Sequence, residues 1–513
     1  VSDRTTPGAG SDVEPETDDL FPEQEDDLRA PRQPVTIRGV AIVGARVVTG
    51  VLGVGVAVVA IAAAGILPLP SVTAVAPSVT VVPVPTAQQL VCSGSVLRLS
   101  DDSGQGATQA SALGIPRLDA VSSTGSVDRS PLEQTDADSG GTASAPLVVS
   151  TPPDPADPAE QILLSGAQEQ ELDDGDFVGL AASACQAPGS EAWLVGGATT
   201  VGRTTLITLS NPSEVPATVD LEIIGESGPV AAPGTRGIVV PPNGQRVLSL
   251  AGFAPELESP VVHVTSTGGQ IVAELQQSIV RGLVPGGVDI VGPSVVPATD
   301  ILIPGLVVRG ADDVTNTLGI GPGFEDLTTV LRVYVPGSEP ADATIRVIPE
   351  DGVGTGTSFA FTFDPGVVSD VPIPELADGS YTIRVESPVA LTAAARVSAA
   401  SGDLTDLAWL AAAPPLTAAA QVTIADGPEP RLHLVNPTDA AVTVELAGVG
   451  ADDLSAEIAP GSAVSLTVEP GATYVVSGFG SLHAGVSFIG DGLVARYAVA
   501  PPGTTSTPIL VYP

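Results

Sequence analysis

The sequence predicts a mostly β protein: tandem antiparallel β-sandwich domains of immunoglobulin-like build, set after one N-terminal transmembrane helix. Three observations predict it. Stretches that alternate apolar and polar residues recur at about domain spacing, as half-buried strands do. Gly (57) and Pro (49) are abundant among 513 residues, which suits turn-rich β architecture and not helical bundles. A run of 21 residues, Val47 to Leu67, carries no charge.

Residues 1–40 come first, as an acidic tail expected to be disordered and cytoplasmic. Positions 1–28 hold ten carboxylates and one Arg, too little apolar surface to offset the entropy of ordering. A transmembrane helix is expected over 41–69. At 1.5 Å per residue, Val47 to Leu67 reaches about 31 Å, the thickness of the hydrocarbon core. Pro68 and Pro70 end it. Arg29, Arg32, Arg38 and Arg46 lie upstream, and no charge follows until Arg98. Positive flanks stay inside, so the expectation is a single-pass cell-membrane protein with its C-terminal ectodomain extracellular. The competing reading is a cleaved signal peptide with Ala74-Val75-Ala76 as its processing site.

Residues 70–188 read as a stalk and a partly ordered β region with a low-complexity insert, Ser100 to Glu160. The chain has two cysteines, Cys92 and Cys185. Neither has a neighbouring base or cation to activate a thiol. In an oxidising compartment the pair reads as a structural disulfide.

Three sandwiches are expected beyond that, at 189–298, 299–404 and 405–513. Leu206–Pro212 ends an alternating strand in an Asn-Pro turn, and Ala217–Ile223 follows as a second. The pattern returns at Leu331–Pro336 with Ala343–Val347, and at Leu432–Pro437 with Val442–Leu446. Pro212, Pro336 and Pro437 are 124 and 101 residues apart, the size of a sandwich domain. Pro turns recur at Pro241-Pro242, Asp364-Pro365 and Ala459-Pro460. Ser259-Pro260-Val261 and Ser387-Pro388-Val389 open late strands, and Trp193-Leu194 and Trp409-Leu410 stand at equivalent positions upstream of the first and third copies.

Cys185, the run Trp193-Leu194-Val195-Gly196-Gly197, the Asn-Pro turns and the Ser-Pro-Val strands make the chain resemble an uncharacterised family of actinobacterial proteins, membrane-anchored or secreted. The resemblance spans Cys92 and Val178 to the end. It implies an envelope location, and it carries no activity, cofactor or catalytic residue with it.

The chemistry-bearing residues are sparse. All 19 basic residues are Arg, and 59 acidic residues leave a net charge of −40, which repels nucleic acid and anionic lipid. His263, His433 and His483 share no metal-ligand spacing. No Gly-x-Ser-x-Gly elbow or Gly-Lys-Ser/Thr phosphate loop occurs. Asp101-Asp102, Asp173-Asp174-Gly175-Asp176 and Asp312-Asp313 offer oxygen ligands for calcium but match no EF-hand, so they read as solvated loops. The expectation is therefore a protein with no cofactor, no metal and no catalysis, an envelope scaffold or accessory protein that binds an unidentified envelope protein or glycan. The alternatives are a glycan-binding or adhesive ectodomain, which needs clustered aromatics, and an enzyme of cell-wall metabolism, which needs converging His or carboxylates.

Overall fold

Alternating strands joined by Gly and Pro turns fold as their pattern requires. The computed structural model describes residues 48–60, 79–81, 87–99, 109–153, 161–503 and 509–511, apart from 139, 322, 351, 353–355 and 374–375. Residues 80–509 form a compact unit of their own. Residues 48–60 are helical. The acidic tail, Asp101-Asp102 and the remainder of the 47–67 run lie outside the described residues, among which no helix is long and apolar enough to cross a membrane.

The repeat has eight strands. The first, sixth, third and fourth make one antiparallel sheet, and the fifth, second, seventh and eighth make the other. One copy runs through Glu191–Val195, Arg203–Asn211, Ala217–Gly225, Ile238–Val240, Gly244–Ser249, Val261–Gly268, Val272–Arg281 and Val284–Val291. The next runs through Ala298–Val308, Val330–Tyr334, Ala341–Pro349, Thr357–Phe363, Val368–Pro372, Gly379–Ser401 and Leu404–Ala411. Gly379–Ser401 serves as both sixth and seventh strand: its first half pairs with Ala341–Pro349 and its second with Val330–Tyr334. The last copy comprises Ala420–Thr423, Arg431–Val435, Val442–Val449, Leu454–Ile458, Ala463–Thr467, Thr473–Ser477, His483–Gly490 and Leu493–Ala498.

The same order appears a fourth time, upstream, in the region expected to be only partly ordered. Gln88–Cys92, Leu147–Thr151 and Asp128–Pro131 pair as first, sixth and third strands. Arg117–Ser122, Leu164–Asp174 and Phe177–Ala184 pair as second, seventh and eighth. Much of the expected low-complexity insert is therefore strand. The four copies are called repeats one to four in chain order.

The Asn-Pro turns have the same construction in repeats two and four. Asn211 Oδ1 accepts from the Ser213 N–H and hydroxyl, while Nδ2 donates to the Val215 and Val240 carbonyls. Asn436 does the same with Thr438, Ala440 and Ile458. Each Asn thus fixes the turn from the second strand into the third. The three Pro turns all precede fifth strands. Two expected equivalences fail. Trp193 is on a first strand and Trp409 on an eighth. Ser259-Pro260 precedes a sixth strand, whereas Ser387-Pro388 sits where Gly379–Ser401 passes between sheets. Nor is helix confined to the N-terminal run, since Ala311–Leu318 is α-helical with Asp312 and Asp313 in its first turn.

Each of the last three repeats encloses an apolar core of Val, Leu, Ile and Ala, each fully buried Val, Leu or Ile contributing roughly 1.5–3 kcal/mol. The cores are not self-contained. Tyr334, Val368, Leu407 and Trp409 of repeat three belong to the core of repeat two. The eighth strands of the four repeats pack in a closed circuit, each against the next and the last against the first.

Candidate functional site

At the centre of that circuit lies Asp406, fully buried. Its Oδ2 accepts the backbone N–H of Leu180 at 2.9 Å and of Val494 at 3.1 Å, and its Oδ1 that of Val288 at 3.2 Å. The Leu407 N–H also points at it. These donors come from the eighth strands of all four repeats. Gly179 and Gly287 leave room for the carboxylate, because a Cβ on either would stand 2.6 Å from Oδ1. Burial pushes Asp406 up to about 7 against the pull of the four N–H groups. Nearby, Asp289 Oδ2 accepts the Trp409 N–H at 2.6 Å. Burial holds Asp289 well above the usual carboxylate range.

A second buried group has the outline of a catalytic triad. His433 Nδ1 donates to Glu350 Oε2, and its Nε2 meets the Ser487 hydroxyl at 2.7 Å. The other Glu350 oxygen accepts from the Gly305 N–H at 3.1 Å and the Thr382 hydroxyl at 2.7 Å. Ser, imidazole and carboxylate are in the order that activates a hydroxyl nucleophile. Yet Ser487 is 1% exposed, His433 0% and Glu350 2%. A nucleophile has to touch its substrate, and this hydroxyl is sealed.

Position in the repeat explains the group. His433 lies three residues before Asn436 on a second strand, and Arg332 lies three before Val335 on the preceding repeat's second strand. Arg332 is equally buried and faces repeat two, donating to the Gly197, Pro260 and Glu258 carbonyls. Its guanidinium grips Asp370 through two bonds of 2.8 and 2.9 Å and stands 4.5 Å above the Trp409 ring. Burial alone would raise Asp370, but the Arg332 charge, the hydrogen bonds from Arg332 and Ser259 and the Arg396 charge together outweigh it and hold the carboxyl below its ordinary range. His433 faces repeat three in the same way. Both polar clusters are joints between consecutive repeats.

The remaining sequence-marked residues separate. His263 stacks on Trp193 with centroids 4.0 Å apart, and Trp193 on Tyr334 at 5.9 Å. Trp193 Nε1 and His263 Nε2 both donate to Glu191 Oε1 at 3.0 Å. Trp193 and Tyr334 are buried, and His263 forms part of an open groove of about 800 Å³ with Asp220, Glu222, Thr265, Arg236 and the Pro229–Pro233 segment. His483 Nδ1 donates to the Ala413 carbonyl at 2.8 Å, since a carbonyl oxygen only accepts. Burial lowers its affinity for a proton. Two further tyrosines lie elsewhere: the Tyr381 hydroxyl donates to the Ala377 carbonyl, and the Tyr474 hydroxyl accepts from the Glu469 backbone N–H.

Cys92 and Cys185 form the expected disulfide, tying the first strand of repeat one to the end of its closing hairpin. Across a sequence separation of 93 the chain-entropy contribution is about 4–5 kcal/mol. Asp173, Asp174 and Asp176 flank a hairpin turn, and no group of three metal-ligating side chains occurs among the described residues. Asp406, Glu350 and Ser487 were not marked by the sequence. The turn signature Gly175, Gly282, Gly402 and Gly492, each at positive φ before an eighth strand, was the signal that leads to the first of them.

A family model described as a family of unknown function (DUF5719) matches residues 134–477, from repeat one into repeat four. No curated protein and no solved structure matches the chain.

Proposed function

Since the chain belongs to DUF5719, a family of unknown function, its role has to be argued from its own residues, and we propose a non-catalytic, membrane-anchored, extracytoplasmic protein that presents binding surfaces in an actinobacterial cell envelope. The observation that carries the binding half is the sealing of Ser487, His433 and Glu350. Those residues converge as an enzyme's would, but they serve a joint, and no reacting group reaches them. The open groove offers the opposite: Asp220, Glu222 and His263 around accessible volume. Past Leu67 about 49 carboxylates face 14 Arg, so a neutral or cationic partner suits it.

Support for the anchor comes from the uncharged run. Within it Val48, Val51, Leu52, Val54, Val56, Val58 and Val59 are each more than half exposed. A helix apolar on every side needs apolar surroundings. The Arg asymmetry supports a tail inside and the repeats outside. The glycan-binding reading draws on the Trp193–His263–Tyr334 stack. Its two large rings are buried, which favours packing over a sugar platform.

The test compares two variants in cells whose envelope phenotype depends on the gene. Ser487→Ala should restore function at normal abundance, and Asp220→Arg with Glu222→Arg should fold but fail. The reverse pattern, with Ser487→Ala abundant and inactive while the groove variant rescues, would sink the non-catalytic account.

A further inference from the structure

Among the described residues, the fourth strand of repeat three, Thr357–Phe363, pairs on one side only, with Ala341–Pro349. Its sequence, Thr-Ser-Phe-Ala-Phe-Thr-Phe, has no charge and no Pro. Exposed edges are usually blunted by charge, Pro or shortness. Some other edges of this protein follow that rule: Leu454–Ile458 carries Glu457 after Asp452-Asp453, and Ile238–Val240 is three residues long. Thr357–Phe363 does not. Ser358, Ala360 and Thr362 are exposed, as is Phe361 at 42%.

Register places Phe359, Phe361 and Phe363 on the core side, opposite Ile345, Ala343 and Ala341, which are all buried. Phe363 is covered and Phe361, its ring 4.7 Å away, is not. The inner face of the sandwich is thus left open at this edge. We propose that the edge is the self-association surface of the protein, and that it pairs antiparallel with the same strand of a second copy about a twofold axis at Ala360.

The sequence around Ala360 is what selects a second copy over another partner. Ser358-Phe359-Ala360-Phe361-Thr362 reads nearly the same in both directions. An isologous contact requires such self-complementarity, because residue i meets j while j meets i. In the antiparallel register Ala360 faces Ala360, each Phe359 faces a Phe361, and each Ser358 faces a Thr362. The Phe361 rings left open in one copy are covered by the Phe359 rings of the other, as cross-strand aromatic pairs. Asp364, the first charge after the strand, meets Gly356 and not a carboxylate. In a chain of net charge −40, an uncharged strand is also where two copies approach with least repulsion.

Sedimentation of the full chain in mild detergent tests this. The mass should double as concentration rises, more readily at about 1 M salt, where charges are screened beyond about 3 Å. Phe361→Glu should stay monomeric with unchanged circular dichroism. Ala360→Cys should crosslink to itself under mild oxidation, whereas Ser358→Cys should crosslink only when mixed with Thr362→Cys. The native cysteines are both in the disulfide and do not interfere. A wild-type chain that stays monomeric, or an Ala360→Cys chain that crosslinks no better alone than Ser358→Cys alone, overturns the proposal. So does capture of a different protein by Ala360→Cys in cells without self-crosslinking.

Discussion

Glu274 shows how polar residues behave at the joints. It lies on the seventh strand of repeat two opposite Thr208, is 2% exposed, and leaves Oε1 without a hydrogen-bond partner among the described residues. Burial raises it to about 7, while a bond from the Ser93 side chain pulls the other way. An acid with a raised folded value keeps its proton where the unfolded chain has lost it. Stability is then greatest below the ordinary carboxylate range and falls as pH rises from about 4.5 to about 7. Asp289 and Asp406 add in the same direction. Glu274→Gln keeps the shape without the charge. It should stabilise the protein by roughly 2–3 kcal/mol at pH 8 and hardly at all at pH 4. Urea denaturation at both pH values measures this, and equal stabilisation at both would dismiss the titration argument.

At the scale of elements, what could be read from sequence was local. Asn211 and Asn436 act within four residues of themselves through Val215 and Ala440, so Asn-Pro after an alternating strand was enough to find the turn. Cys92 and Cys185 needed no distance information because no other cysteine was available. Trp193 and Trp409 misled because a shared residue type does not define a strand position. Glu350, His433 and Ser487 are separated by 83 and 54 residues, and no spacing rule connects them. Closing hairpins have the same division. Gly282 sits at the turn with φ +69° and open space around it, whereas a Cβ on Gly287 would stand 2.6 Å from Asp406 Oδ1 at φ +112°. Gly282→Ala should cost roughly 1–2 kcal/mol, the price of a left-handed residue. Gly287→Ala should cost about 4 kcal/mol or more, since backbone and carboxylate must both shift. Chemical denaturation ranks the two, and equal losses would mean that the Asp406 contact is not tight.

For the molecule as a whole, the sequence suggested tandem sandwiches without saying that, within residues 80–509, the repeats close on one another. The reason lies in what alternation encodes. A period of two separates one face of a strand from the other, and the polar face is read as solvated. Here the polar faces of the second, seventh and eighth strands are buried against neighbouring repeats, as Glu169, Gln276, Gln277, Arg332, Asp406 and His433 are. Gln276 exchanges two bonds with Leu97 of repeat one, and Arg332 reaches three carbonyls of repeat two. Asp406 touches all four repeats. Melting should therefore be one cooperative transition, because no repeat can open without stranding buried polar groups of its neighbour. Asp406→Asn tests the closure. An amide has one acceptor oxygen, and its NH₂ would point at N–H groups that also donate. At least one of the Leu180, Val288 and Val494 N–H groups then loses its partner, at about 1–3 kcal/mol each. Scanning calorimetry of the variant should show a lower melting temperature and a transition broadened or split, since the four eighth strands no longer share one acceptor. A single sharp transition at the wild-type temperature would mean that apolar packing alone closes the circuit and that Asp406 is not what couples the repeats.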